Sequence, residues 1–201
     1  MRIILKDYSV LLLIVVNLFP IIGALLLGWD IFEIVILYVL ETFIIGLLNI
    51  FKMFFTKGVE KFFMVPFFLI HYNLFILGQS IFVIILLGGG INNNKFFESG
   101  SLDYLFSIIG NRDFIIAVFL IIFSHGFSFI KNFIRKKEYV KMDAIKLMFA
   151  PYQRIFLQQI MVIGGAFIIL LFNTHVGILI IMIILKTMLD LRAHYKSHNP
   201  D

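Results

Sequence analysis

Six long apolar stretches dominate this sequence of 201 residues. A bilayer core about 30 Å thick is crossed by roughly 20 apolar residues in a helix that rises about 1.5 Å per residue. Membrane-spanning β-strands are only about ten residues long and alternate in hydropathy, whereas these stretches are continuous. The sequence therefore predicts an all-α integral membrane bundle of six transmembrane helices in a single domain, residues 1–201. The predicted spans are approximately Tyr8–Leu27, Ile31–Phe51, Phe62–Leu87, Phe114–Ile130, Ile155–Phe172 and Val176–Tyr195.

Composition excludes several other classes of protein. Hydrophobic residues make up 61% of the chain and charged residues 14%. In a soluble domain roughly 45–50% of the residues are apolar and about 25% are charged. Cysteine is missing from the sequence, which excludes a disulfide framework, a thiolate metal site and a cysteine nucleophile. Arg2 and Lys6 precede the first stretch as in a signal peptide, but no small-residue cleavage site follows. We therefore expect a retained first helix.

Lysine and arginine collect on one side of the predicted spans. The positive-inside rule then places both termini in the cytoplasm, in a multi-pass protein of the cell (plasma) membrane. A basic rim facing anionic lipid headgroups explains the formal net charge of +5, so we expect a lipid bilayer and not a nucleic acid as partner. The sequence leaves open whether the chain forms a homo-oligomer. The basic side holds Arg2, Lys6, Lys52, Lys57, Lys61, Lys131, Arg135, Lys136, Lys137, Lys141, Lys146, Arg192 and Lys196, and the other side holds Lys95 and Arg112.

Two connections are longer than turns. Residues 88–113 form a predicted extracytoplasmic loop that contains the amphipathic segment Leu102–Ile109, which is typical of a surface-lying helix. Residues 131–151 form a predicted basic cytoplasmic loop, in which Tyr139–Phe149 is an interfacial helix ended by Pro151. A connector role is favoured for both over a functional one.

Several polar residues lie inside the predicted spans, where a charged side chain costs roughly 2.5–3.5 kcal/mol or more. They lie at mid-depth or in the predicted cytoplasmic half, apart from Gln79. At about 100° per residue, Lys186, Asp190 and His194 share an arc of about 80°. Such faces are expected to converge inside the bundle. The set comprises Glu41, His71, Gln79, His125, Gln158, Gln159, Lys186, Asp190 and His194.

This polar set suggests a divalent metal site. Asp190 and His194 have the i, i+4 spacing with which one helix face grips a metal ion. His71 and His125 are predicted to add ligands from facing helices, and ligands of nitrogen and oxygen suit zinc, iron or manganese. Glu41 is the predicted catalytic base or a further ligand, and Arg154 and Lys186 are predicted anchors for an anionic, lipid-like substrate. The signatures H-E-x-x-H and E-x-x-H are missing from the sequence, so whether the chain is an enzyme stays open.

Three other interpretations fit the same residues. In the first, the polar groups only stabilise the bundle, for example through a Lys186–Asp190 ion pair or a bond from Glu41 to Arg154 or Lys186. In the second, Glu41, His71 and Asp190 relay protons in a small transporter or proton-coupled carrier. In the third, the chain is a membrane scaffold without chemistry.

Five short motifs resemble those of a prokaryotic family of uncharacterised polytopic membrane proteins, a domain of unknown function. The resemblance extends over nearly the whole chain and implies a multi-span membrane protein, but it brings no established activity. The motifs are Tyr38-Val-Leu-Glu41-Thr-Phe-Ile-Ile-Gly46, His71-Tyr72, Ser124-His125-Gly126, Pro151-Tyr152-Gln-Arg154-Ile155 and Lys186-Thr-Met-Leu-Asp190-Leu-Arg-Ala-His194.

Overall fold

The computed structural model describes residues 8–88, 101–140, 142–153, 155–156, 159–160, 184 and 187–188. Regular structure in these residues is entirely helical, as the sequence predicts. A seven-residue π-helical segment, Phe129–Arg135, continues the helix Arg112–Ser128, and a short 3-10 helix covers Glu138–Val140. The helices are α1 (Tyr8–Leu26), α2 (Ile31–Phe54), α3 (Lys61–Gly88), α4 (Ser101–Gly110), α5 (Arg112–Ser128) and α6 (residues 144–153).

Within the described residues, three helices are long and apolar enough to cross a membrane. They cover Phe32–Phe54, Lys61–Val83 and Arg112–Arg135, and α1 adds a shorter apolar helix over Ile14–Leu26. Their outer faces carry large exposed apolar side chains such as Phe62 and Phe119, which is typical of helices that face lipid and not water. The predicted spans Ile155–Phe172 and Val176–Tyr195 lie almost wholly outside the described residues.

The turn from α1 to α2 is fixed by the only tryptophan in the sequence. Gly28 takes the left-handed conformation, with a φ of 70°, which glycine adopts without steric cost. Trp29 is then buried between the rings of Phe19 and Phe114, at centroid distances of 6.0 and 5.8 Å. This packing ties the start of α2 to both α1 and α5.

In the described residues the core consists of two apolar clusters, and α2 and α3 contribute to both. One cluster joins α1, α2, α3, α4 and α5 around Trp29, Val35 and Ile121. The other joins α2, α3 and α6 around Phe68 and Leu147. Every other helix of the described part therefore packs on α2 directly or on a neighbour of it.

The helix α6 continues through Pro151, whereas the sequence predicted that a helix ends there. Proline has no backbone N–H, so the Leu147 carbonyl oxygen one turn earlier loses its normal donor. The Asn49 side chain on α2 replaces that donor: its Nδ2 donates to the Leu147 oxygen at 2.8 Å, and both residues are buried. This bond satisfies the carbonyl that Pro151 leaves without a donor and joins α6 to α2.

A second close contact joins α2 to α3 at Gly46. The Tyr72 hydroxyl donates to the Thr42 carbonyl oxygen at 2.9 Å, which brings its ring against the Gly46 backbone. A Cβ at Gly46 would overlap that ring, whereas a Cβ at Gly78 on α3 would meet nothing within 4 Å. Small residues allow such close approach of apolar helices.

We predict that Asn49→Leu lowers the free energy of unfolding by about 1–3 kcal/mol, because the buried Leu147 carbonyl loses its donor. Pro151→Ala restores a backbone donor one turn away, so the same Asn49→Leu change in that background should cost less. The double-mutant cycle is measured by denaturant titration in detergent. Asn73→Leu is the control, because Asn73 bonds the Leu69 oxygen of its own helix at an exposed position; equal losses for both asparagines would contradict the assignment.

We also predict opposite effects at two helical glycines. Gly46→Ala should destabilise the protein by about 1–3 kcal/mol through overlap with the Tyr72 ring. Gly78→Ala should be neutral or stabilising by up to about 1 kcal/mol, since alanine is the better helix former. Thermal unfolding of both variants in the same detergent measures the difference, and a Gly46→Ala protein as stable as Gly78→Ala would show that α2 and α3 do not meet here.

Candidate functional site

The candidate site is a buried carboxylate–imidazole pair between α2 and α5. Glu41 Oε1 lies 3.0 Å from His125 Nε2, and the side chains are only 5% and 11% exposed. Both residues lie within helices long and apolar enough to cross a membrane. The structure thus brings together two of the predicted site residues, from positions 84 residues apart in the sequence.

Helical spacing explains why these two side chains meet. The buried residues of α5 are Phe114, Ala117, Ile121 and Ser124, which follow the three- and four-residue spacing of one helix face. His125 directly follows this face. On α2, Glu41 lies one turn after Leu37, which is also buried. The pair therefore forms at the seam where the apolar faces of α2 and α5 pack together.

A carboxylate in contact with an imidazole can take part in metal binding or in proton transfer. A carboxylate that accepts a hydrogen bond from one imidazole nitrogen sets the tautomer and orientation of the ring, as it does for many metal-binding histidines. In His125 the contact uses Nε2, so a metal would bind through Nδ1. A directly bonded carboxylate and imidazole can also exchange a proton, which suits acid–base catalysis or proton transfer.

His71 lies in a different environment from the pair. Its Nδ1 is 2.7 Å from the Tyr152 hydroxyl of α6, and its ring stacks on Phe67 at 5.3 Å. In the described residues, no three histidine, aspartate or glutamate side chains come together around one ion. Glu41, His71 and His125 therefore do not make a three-ligand group by themselves.

The remaining predicted site residues cannot be placed against the pair. Arg154, Lys186, Asp190 and His194 lie outside the described residues. Their roles as ligands and substrate anchors stay predictions, as does a metal ion itself.

Two contacts next to the site were not predicted from the sequence. Tyr152 was quoted only as part of a motif, yet its ring packs on Phe68, Tyr72 and the His71 ring. The bond from Tyr72 to the Thr42 carbonyl holds α3 at the residue next to Glu41. No spacing in the sequence links these residues, although a tyrosine inside an apolar stretch generally indicates a hydroxyl that needs a partner.

We predict that His125→Leu lowers the free energy of unfolding by about 1.5–3 kcal/mol, because the buried Glu41 loses a hydrogen bond to a charged group. Replacing both members by leucine should recover part of this loss, since an apolar pair leaves no desolvated charge. Denaturant titration in detergent compares the three variants. His71→Leu serves as the control at an exposed position; a double variant less stable than either single one would contradict a buried pair of this kind.

Comparison with known proteins gives a family and no activity. The model of a Family of unknown function (DUF6498) matches residues 2–201, which confirms the resemblance read from the sequence motifs; a prokaryotic source stays a prediction. No curated protein and no solved structure matches the chain. Since the match extends over nearly the whole sequence, the chain belongs to the Family of unknown function (DUF6498).

Proposed function

We propose that this chain is a six-span membrane protein with both termini in the cytoplasm, and that the Glu41–His125 pair belongs to a divalent metal site within the membrane. The site would serve an enzyme that acts on a lipid-like substrate. The observation that carries the proposal is the 3.0 Å contact between two buried, ionisable side chains in apolar helices. Such residues are costly inside a membrane and commonly mark functional sites.

The basic ends of the helices support the proposed orientation. Lys52 closes α2, Lys61 opens α3, and Arg135 ends the π-helical continuation of α5. At about 1.5 Å per residue, Glu41 lies about 20 Å from the Phe54 end of α2, and His125 lies about 15 Å from Arg135. In a core about 30 Å thick, the pair is then near the middle of the membrane, within reach of substrates that enter from the lipid.

In the proposed site, His125 binds the metal through Nδ1, and Glu41 orients the imidazole through Nε2. Asp190 and His194 supply the further ligands from the predicted sixth span. His71 contacts Tyr152 of α6 and does not cluster with Glu41 and His125 in the described residues, so the proposed set does not include it. A bound zinc ion would lower the pKa of a coordinated water to about 7, and Arg154 and Lys186 would hold the anionic group of the substrate.

The pair also supports a second function, a proton-coupled carrier. A carboxylate in direct contact with an imidazole can pass a proton without a metal, and the described residues contain no three-ligand group. In this alternative Glu41 and His125 alternate between protonation states as the transported species moves. A protein that is metal-free as isolated and that still moves protons in proteoliposomes would favour the carrier.

Metal analysis of the purified protein tests the first proposal. We expect about one zinc, iron or manganese ion per chain, and its loss in His125→Ala and in His194→Ala. His175→Ala is the matched control, because His175 lies between the predicted fifth and sixth spans. A clearly substoichiometric content of all three metals, unchanged by His194→Ala, would contradict the metal site.

A further inference from the structure

A second polar feature involves two glutamine side chains that the Glu41–His125 pair does not use. Gln79 on α3 is 3% exposed, and neither its Nε2 nor its Oε1 has a hydrogen-bond partner in the described structure. The Oε1 atom of Gln159 is also buried without a partner. A buried amide without hydrogen-bond partners is energetically unfavourable, so a bound molecule is expected beside these groups.

The contacts of α6 show that it runs parallel to α3. Leu147 lies beside Asn49 of α2, and Tyr152, further along α6, lies beside Tyr72, which bonds Thr42. As α6 proceeds from Leu147 to Tyr152, its contacts on α2 move back from Asn49 to Thr42, so α6 is antiparallel to α2. Since α3 is antiparallel to α2, α6 and α3 advance in the same direction.

Register then places the two glutamines at the same level. Gln79 is seven residues after Tyr72, Gln159 is seven residues after Tyr152, and the rings of these tyrosines lie 5.7 Å apart. Residues 151–153, 155–156 and 159–160 are all helical. Seven residues advance an α-helix by about 10 Å and return it to within about 20° of the same direction. Counted at this helical rise from the two tyrosines, Gln79 and Gln159 are expected at the same level and on the same sides of their helices.

We propose that Gln79 and Gln159 line a buried site for a hydroxyl group, held either by an ordered water or by a lipid molecule. A hydroxyl both donates and accepts hydrogen bonds, so it matches an amide whose Nε2 donor and Oε1 acceptor are both unpaired. The neighbours Ile76 and Val83 on the same face of α3 are buried and apolar, which disfavours a charged ligand. A buried water requires two to four hydrogen-bond partners. The unpaired Nε2 and Oε1 of Gln79 and the unpaired Oε1 of Gln159 are three such groups.

This site is distinct from the Glu41–His125 pair. Tyr72 lies level with Thr42, next to Glu41, and Gln79 lies about 10 Å further along α3 by the helical rise. The proposal does not depend on a bound metal or on the reaction proposed above. The alternative to a bound hydroxyl is a direct hydrogen bond between the Gln79 and Gln159 side chains.

Radiolytic hydroxyl-radical footprinting of the full chain in detergent tests the proposal, because bound water labels the side chains next to it. We compare side chains of the same type and similar burial, Ile76 with Ile36 and Val83 with Val35. With water in the site, Ile76 and Val83 label faster than their counterparts. That excess is lost in Gln79→Leu and, independently, in Gln159→Leu, whereas it persists in Asn73→Leu.

Native mass spectrometry distinguishes the second source of the hydroxyl. A lipid in the site gives no excess labelling, but it stays bound to the parent protein and is lost from Gln79→Leu and Gln159→Leu. An absence of excess labelling together with lipid binding that is the same in all variants would overturn the proposal and favour a bond between the two amides.

Discussion

Several buried polar side chains in the apolar helices bond to other helices, and the packing of this protein depends on those contacts. In a chain so apolar, hydrophobicity alone does not distinguish an inner helix face from an outer one. Hydrogen bonds between helices make that distinction, because Asn49 bonds α6 and Tyr72 bonds the backbone of α2. Each fixes the rotation and the level of one helix against another, which apolar packing by itself leaves open.

The helix α2 carries most of these contacts. Thr42, Gly46 and Asn49 follow a spacing of four and three residues, so they share one face, and that face contacts α3 and α6. Glu41 is rotated by about 100° from Thr42 and faces α5, where it bonds His125. The contacts that hold α2 in place thus also hold the carboxylate in position, which links the packing of the helices to the chemistry of the site.

Much of the fold could be predicted from the sequence, because hydropathy and length decide where helices begin and end. The predicted spans Ile31–Phe51 and Phe62–Leu87 differ by only a few residues from α2 and α3. The continuation of α6 through Pro151 could not be predicted, since it depends on Asn49, 98 residues from Leu147. Here the Asn49 side chain satisfies the carbonyl that the proline leaves without a donor.

The candidate site could be predicted in part for the same physical reason. The cost of ionisable groups in apolar helices indicated Glu41, His71 and His125, but the sequence did not show which of them meet. The structure pairs Glu41 with His125 and places His71 on Tyr152 instead. Helix rotation decides between these pairings, and rotation depends on contacts between residues far apart in the sequence.

The central claim is that Glu41 and His125 belong to a metal site inside the membrane. Anomalous diffraction at the zinc, iron and manganese absorption edges, from crystals of protein purified without chelators, tests it most directly. We expect an anomalous peak about 2.0–2.2 Å from His125 Nδ1, with Nε2 still bonded to Glu41. Density that shows His125 Nδ1 bonded to a backbone carbonyl, with no peak nearby at any of the three edges, would contradict it.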